Sequence, residues 1–173
     1  MKNNVVHPLK PLIFKDSEIL ILGSFPSVKS RENMFFYMHP QNRFWKILSA
    51  LYDDDFVSCD IDEKINLCKK HKIAIYDVIN SCDIIGSSDS SIENVIPNNI
   101  KDLIQNTNIN HIYCNGNTSY KLFLKYNKEL KNMVCLLPSS SPANAKMKLN
   151  NLIDDWSIIK KIWYFILFVV KFY

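Results

Sequence analysis

Residues 19–23, Ile-Leu-Ile-Leu-Gly, decide how the fold is read. The run is too short for a stable helix and has no polar residue alternating with its apolar ones, which is the pattern of a strand covered on both faces. Three further runs share it: 73–78 (IAIYDV), 111–116 (HIYCNG) and 133–138 (MVCLLP). Helical patterns lie between them. Residues 41–52 place Phe44, Leu48 and Leu51 on one face, with Pro40 suited to the first turn. Asp60 and Glu63 form a capping-box-like start for a helix carrying Ile61, Ile65 and Cys68. Residues 100–104 and 118–126 supply two short amphipathic stretches, and Leu152, Trp156, Ile159 and Trp163 mark a long final helix. Strands alternating with helices predict a parallel α/β sheet, whose ligands sit beyond the carboxyl ends of the strands.

The chain of 173 residues has the size of one domain, expected to span 1–173 with an apolar C-terminal helix or tail over 152–173. Apolar residues make up 47% and charged ones 22%, an ordinary globular balance rather than a disordered one. A net charge of +4 suits a protein that approaches phosphates without coating itself in lysine, although many unrelated enzymes share it. The five cysteines (59, 68, 82, 114 and 135) lie far apart with no CxxC pair or His/Cys cluster. They predict free thiols in a reducing cytosol, hence a cytoplasmic protein, and no zinc or iron–sulfur site. The N-terminus lacks the apolar core of a signal peptide. Residues 162–173 are strongly apolar but interrupted by Lys171 and short of the ~20 residues a membrane span needs; they read as a core-packing helix end with a sticky tail. A monomer without membrane attachment is expected.

The segments just after the strands carry the functional signal. The first strand leads into Gly23-Ser24-Phe25-Pro26-Ser27, then a loop and Tyr37-Met38-His39-Pro40-Gln41-Asn42-Arg43-Phe44-Trp45. The second ends near Asp77, the third in Asn115-Gly116, and the fourth runs into Leu137-Pro138-Ser139-Ser140-Ser141-Pro142-Ala143-Asn144-Ala145. Neither a glycine-rich phosphate loop nor a GxSxG nucleophile elbow is present. Uncharged donors and acceptors beside aromatic rings suit recognition of a neutral planar base by edge hydrogen bonds and stacking.

In these segments the chain resembles the uracil-DNA glycosylase superfamily, and within it the hypoxanthine (deoxyinosine) branch. The GSFPS, HPQNRFW, YDVINSC, CNG and LPSSSPANA segments occur in the family's order across roughly residues 17–163. The resemblance implies a three-layer α/β/α fold around a short central parallel four-stranded sheet. It also implies double-stranded DNA carrying a damaged base as partner, and hydrolysis without cofactor or metal. Tyr37 occupies the aromatic position that stacks on the extruded base. Where relatives read GxNPG, with an Asn orienting the attacking water, this chain has Phe25, and the resemblance to the hypoxanthine branch implies that Asn42 of HPQN is the catalytically important amide. Asn115 is similar to a second important Asn, and the LPSSSPANA loop resembles one that enters the minor groove and grips phosphate.

Each residue also has a plainer reading. Asn42 suits a helix end, Asp77 suits a cap or turn as well as an acceptor for the base or a water, and Asn115 before Gly116 is an ordinary turn signal. His39 either bonds within its loop or acts near the sugar, and Phe44 and Trp45 read as core. Ser139, Ser140, Ser141, Pro142 and Asn144 read as a phosphate clamp or a turn. The functional expectation is a monofunctional glycosylase. Tyr37 and Phe25, beside Ser24 and His39, sandwich the base, and Asn115 and backbone amides read its edge. Asn42 positions the water or a leaving-group hydrogen bond, and Asp77 accepts from the base edge or a water. Lys146 and Lys148 are not singled out as amine nucleophiles. The alternatives are a uracil or mismatch glycosylase, and a non-catalytic nucleic-acid or nucleotide-binding α/β module.

Overall fold

The computed structural model describes residues 3–160, so the Trp163 end of the last helix and the apolar run 162–173 lie outside it. The four apolar runs form one parallel sheet: β2 (Ile19–Gly23), β3 (Ile73–Asp77), β6 (His111–Asn115) and β7 (Val134–Leu137), in the order β3-β2-β6-β7. Alternation along β2 explains the layers, because successive side chains of a strand face opposite sides of the sheet. Ile19 and Ile21 pack with α2 (Phe44–Tyr52), α3 (Ile61–Lys70) and α6 (Leu149–Trp156). Leu20 and Leu22 pack on the other face with α4 (Ile100–Ile104) and α5 (Asn117–Tyr126). The result is the expected α/β architecture, a parallel four-stranded sheet between helices. No described helix is long and apolar enough to cross a membrane.

Local signals set the helix ends. Ser27 caps the short α1 (Val28–Glu32), its hydroxyl accepting from the Ser30 N–H at 3.2 Å. Asp60 accepts from the Glu63 N–H at 2.8 Å while the Glu63 carboxylate accepts from the Asp60 N–H, a complete capping box at the head of α3. The start of α2 corrects the sequence reading. Pro40 does not enter the first turn; residues 39–42 form a separate turn closed by Asn42 N–H on the His39 carbonyl, and the helix begins at Phe44, whose N–H is taken by Asn42 Oδ1. A side chain that competes for the first free N–H of a helix fixes where it starts.

A second sheet went unread in the sequence. β1 (Asn3–Val6), β4 (Ile79–Ile84) and β5 (Glu93–Pro97) form an antiparallel sheet in the order β1-β4-β5. The chain leaves the parallel sheet at Asp77 and, one residue later, enters the antiparallel one, so the Asp77 corner joins the two.

Candidate active site

The ends of β2, β3 and β6 and the loop after β7 frame a cleft of about 490 Å³, within the roughly 300–1,000 Å³ usual for small-molecule sites. It lies where a parallel α/β sheet places its ligands. Of the sequence-predicted residues, Ser24, Phe25, Tyr37, His39, Asn42, Asp77, Asn115, Ser139, Ser140, Ser141 and Pro142 all line it. Asn144 does not; its side-chain N–H₂ donates to the Ser139 carbonyl and folds the loop on itself. The ionisable lining groups are Tyr37, His39, Asp77 and Asp89, with no lysine or arginine among them.

One wall is wired through amides and a hydroxyl. Ser140, fully buried, donates from Oγ to Asn42 Oδ1 at 2.9 Å and accepts from Asn115 Nδ2 at 2.9 Å, while its backbone N–H donates to Asn115 Oδ1 at 2.8 Å. Asn115 is thereby held at both ends of its amide. Asn42 spends its oxygen on Ser140 and on the Phe44 N–H, which leaves Nδ2 without a hydrogen-bond partner among the described residues. Behind them Arg43, which the sequence reading passed over, donates to the carbonyls of Ser140, Ser141, Asn144 and Met147 and pins the loop. Arginine's rigid fork of donors suits such a task better than lysine's point charge. Gly116, at φ 101°, closes the turn; a Cβ there would stand 3.0 Å from that of Ser139.

The opposite wall is built around a carboxylate. A Cβ on Gly23 would sit 2.2 Å from Asp77 Oδ1 and 3.3 Å from the Tyr37 hydroxyl, so only glycine lets these groups close over the end of β2. Asp77 is almost wholly buried, and its Oδ2 meets His7 Nε2 at 2.9 Å. Tyr37 stacks one ring face on Phe44 at 3.8 Å, and its buried hydroxyl has no hydrogen-bond partner among the described residues, although the Asn115 amide faces it. Burial, then the Asp77 charge, hold this phenol well above its ordinary pKa. Its backbone sits at φ 56°, a left-handed conformation that costs a non-glycine residue of order 1–2 kcal/mol. The flanking Phe35 and Phe36 are buried, and the Trp45 indole N–H donates to the Phe36 carbonyl, which holds the chain in that conformation.

The remaining residues divide between the cleft lining, the core and the surface. Phe25 packs with Ile79, Cys82 and Ile84 and meets His7 edge-on, and the Arg31 guanidinium lies over its ring at 5.7 Å. Ser24 donates to Asp89, a residue in the serine-rich stretch 87–91 that the sequence reading did not single out; burial raises the pKa of that carboxyl against the opposing effect of Ser24. His39 accepts from the Gln41 N–H, so it bonds within its loop while lining the cleft. Phe44 and Trp45 are core. Lys146 and Lys148 are exposed and outside the cleft. Nothing in the sequence near residue 77 announces His7, 70 positions away.

Comparison with known proteins identifies the family and its fold. The profile of the Uracil DNA glycosylase superfamily matches residues 12–165. Hypoxanthine DNA glycosylase of Methanosarcina barkeri is 31% identical over 112 residues, covering 63% of this chain and 70% of its own. That of Methanosarcina acetivorans is 29% identical over 149 residues, covering 84% and 91%. A solution NMR structure of a candidate uracil DNA glycosylase from Methanosarcina acetivorans superposes with a TM-score of 0.75 at 27% identity, covering 87% of this chain and 93% of that one. The chain belongs to the uracil DNA glycosylase superfamily.

Proposed function

We propose that this DNA glycosylase excises hypoxanthine from deoxyinosine in double-stranded DNA, with water as the nucleophile and Asn42 and Asn115 as its working amides. The observation that carries the reading is the Asn42–Ser140–Asn115 chain, which presents an Asn42 Nδ2 with no hydrogen-bond partner among the described residues, in a cleft that no amine of the described residues lines. The curated relatives' names favour hypoxanthine over uracil as the base, and so does Phe25 in place of the GxNPG asparagine.

In this mechanism the base is extruded and stacks against the free face of Tyr37. A mispaired base costs less to unstack, which by itself favours lesions. Cleavage of the N-glycosidic bond sends its electron pair into the departing base and leaves an oxocarbenium-like sugar, to which water adds; the proton the water loses balances the one the departing base takes up. Asn42 Nδ2 holds that water or donates to the leaving base, and Asn115, locked by Ser140, meets the base edge. Asp77 supplies an acceptor for a base N–H or for the water, and the DNA phosphates stabilise the positive sugar. Ser139, Ser141 and Pro142, presented by the Arg43-pinned loop, engage the flanking backbone.

The test is incubation with duplexes carrying inosine, xanthine, uracil or adenine at one position, with and without EDTA. Free hypoxanthine and alkali-labile sites should appear on the inosine duplex, with or without chelator. Preferential release of uracil would overturn the choice of base, and a DNA adduct trapped by borohydride would overturn the water mechanism.

A further inference from the structure

β1 lies outside the stretch matched by the family profile, yet it reaches the site. It runs antiparallel to β4 with Val6 opposite Ser81, and the His7 N–H continues the ladder onto the Asn80 carbonyl at 2.7 Å. This register places His7 beside the corner where Asp77 ends β3. The imidazole is fully buried, edge-on to Phe25 at 5.7 Å and packed on Tyr76 at 4.9 Å. It does not line the cleft. A polar ring in an apolar box is costly unless both nitrogens are bonded. Nε2 meets Asp77 Oδ2 at 2.9 Å, and Nδ1 sits 3.2 Å from the Leu9 N–H and 3.1 Å from the Leu9 carbonyl. A carboxylate only accepts, so Nε2 carries the proton, while Leu9 offers Nδ1 a donor when the ring is neutral and an acceptor when it is charged.

We infer that His7 is a positioning residue of the glycosylase: its Nε2–H holds Oδ2 of Asp77 so that the other carboxylate oxygen stays over Gly23, at the floor of the cleft, as a fixed acceptor. The inference rests on the proposed function, since it assigns His7 a task only through Asp77. Without this bond the carboxylate has no other side-chain partner of opposite or donor character among the described residues, and it turns away from the base. The N-terminal strand is therefore part of the active unit rather than decoration on the matched fold.

Single-turnover excision of hypoxanthine separates this role from simple packing. His7→Phe keeps the ring and removes the donor; it should slow excision at least about tenfold, in line with the large rate cost of a misplaced reacting group. His7→Gln places an amide N–H near the Nε2 position and should recover most of that loss. In an Asp77→Asn background His7→Phe should change the residual rate by less than about twofold, because a residue acting only through Asp77 has nothing left to act on. Should the Phe variant fail to fold, His7→Asn, whose shorter amide does not reach Asp77, takes its place with the same expected loss. Wild-type rates for the His7→Phe or His7→Asn variant, or an undiminished loss in the Asp77→Asn background, would overturn the role of His7 while leaving the glycosylase reading intact. A wild-type protein inert on inosine duplexes would overturn the function itself.

Discussion

The two walls of the cleft solve the same problem in opposite ways. On the β6–β7 side the central groups are neutral, running from Asn42 through Ser140 to Asn115, with the Arg43 guanidinium pinning the loop behind them. On the β2–β3 side the central group is a buried carboxylate clamped by a histidine, beneath a phenol with no partner among the described residues. Neutral amides both donate and accept, so that wall can meet a base edge, a water and a departing ring nitrogen. The carboxylate only accepts, and its value lies in being held in one place. Burial costs differ accordingly, since a satisfied amide network is inexpensive to bury and an unpaired carboxylate is not.

This contrast can be broken from either side. The largest effect belongs to the amide wall: Asn42→Ala should lower the single-turnover rate on inosine DNA by at least about a hundredfold, the order seen when one preorganised polar group is lost. Its binding to undamaged duplex should change little. Comparable rates for the two proteins would place the chemistry on the carboxylate side alone. On that side, Gly23→Ala drives a methyl into Asp77 Oδ1, whose partner His7 is itself buried and unable to yield. Excision should fall about ten- to a hundredfold, as for a displacement of order 1 Å at a reacting group. An unchanged rate would mean that Asp77 is free to move without consequence. The smallest effect should come from Tyr37→Phe, which deletes a hydroxyl that is buried and unpartnered among the described residues while keeping the stacking ring. Thermal stability should stay level or rise by about 0–1 kcal/mol, with excision within a few-fold of wild type. A marked loss of excision would give the phenol a direct part in reading the base.

The sequence carried the central sheet and one wall well, and the other wall poorly. Strands 19–23, 73–77, 111–115 and 134–137 are runs apolar on both faces, a signal that survives without neighbours, and the four lay within about two residues of their expected ends. β1 and β5 were not read, because NNVV and ENVIP are short, half polar and largely exposed, and acquire strand character only by pairing with β4. Asn42, Asn115 and the serines sit beside Gly and Pro signals within recognisable segments, so their gathering at one cleft was foreseeable. The sequence places Ser140 in a phosphate clamp or a turn; its role as the buried hub between the two asparagines has no local signal. His7 was invisible because its partner lies 70 residues away and nothing local marks it. Arg43 was quoted within HPQNRFW but had no assigned partner, since its partners are backbone carbonyls about a hundred residues on.

In the proposed mechanism the donor half of the Asn42 amide does the chemistry while its oxygen does the folding. Asn42→Asp divides the two, because the carboxylate keeps acceptors for the Phe44 N–H and the Ser140 hydroxyl and loses only the N–H₂ group. Asp also serves at a helix start about as well as Asn. Single-turnover excision of hypoxanthine, measured beside the melting temperature, decides the matter. Asn42→Asp should melt close to wild type, with excision reduced to the level of Asn42→Ala. Wild-type excision by Asn42→Asp would contradict this mechanism and leave Asn42 a helix-starting residue.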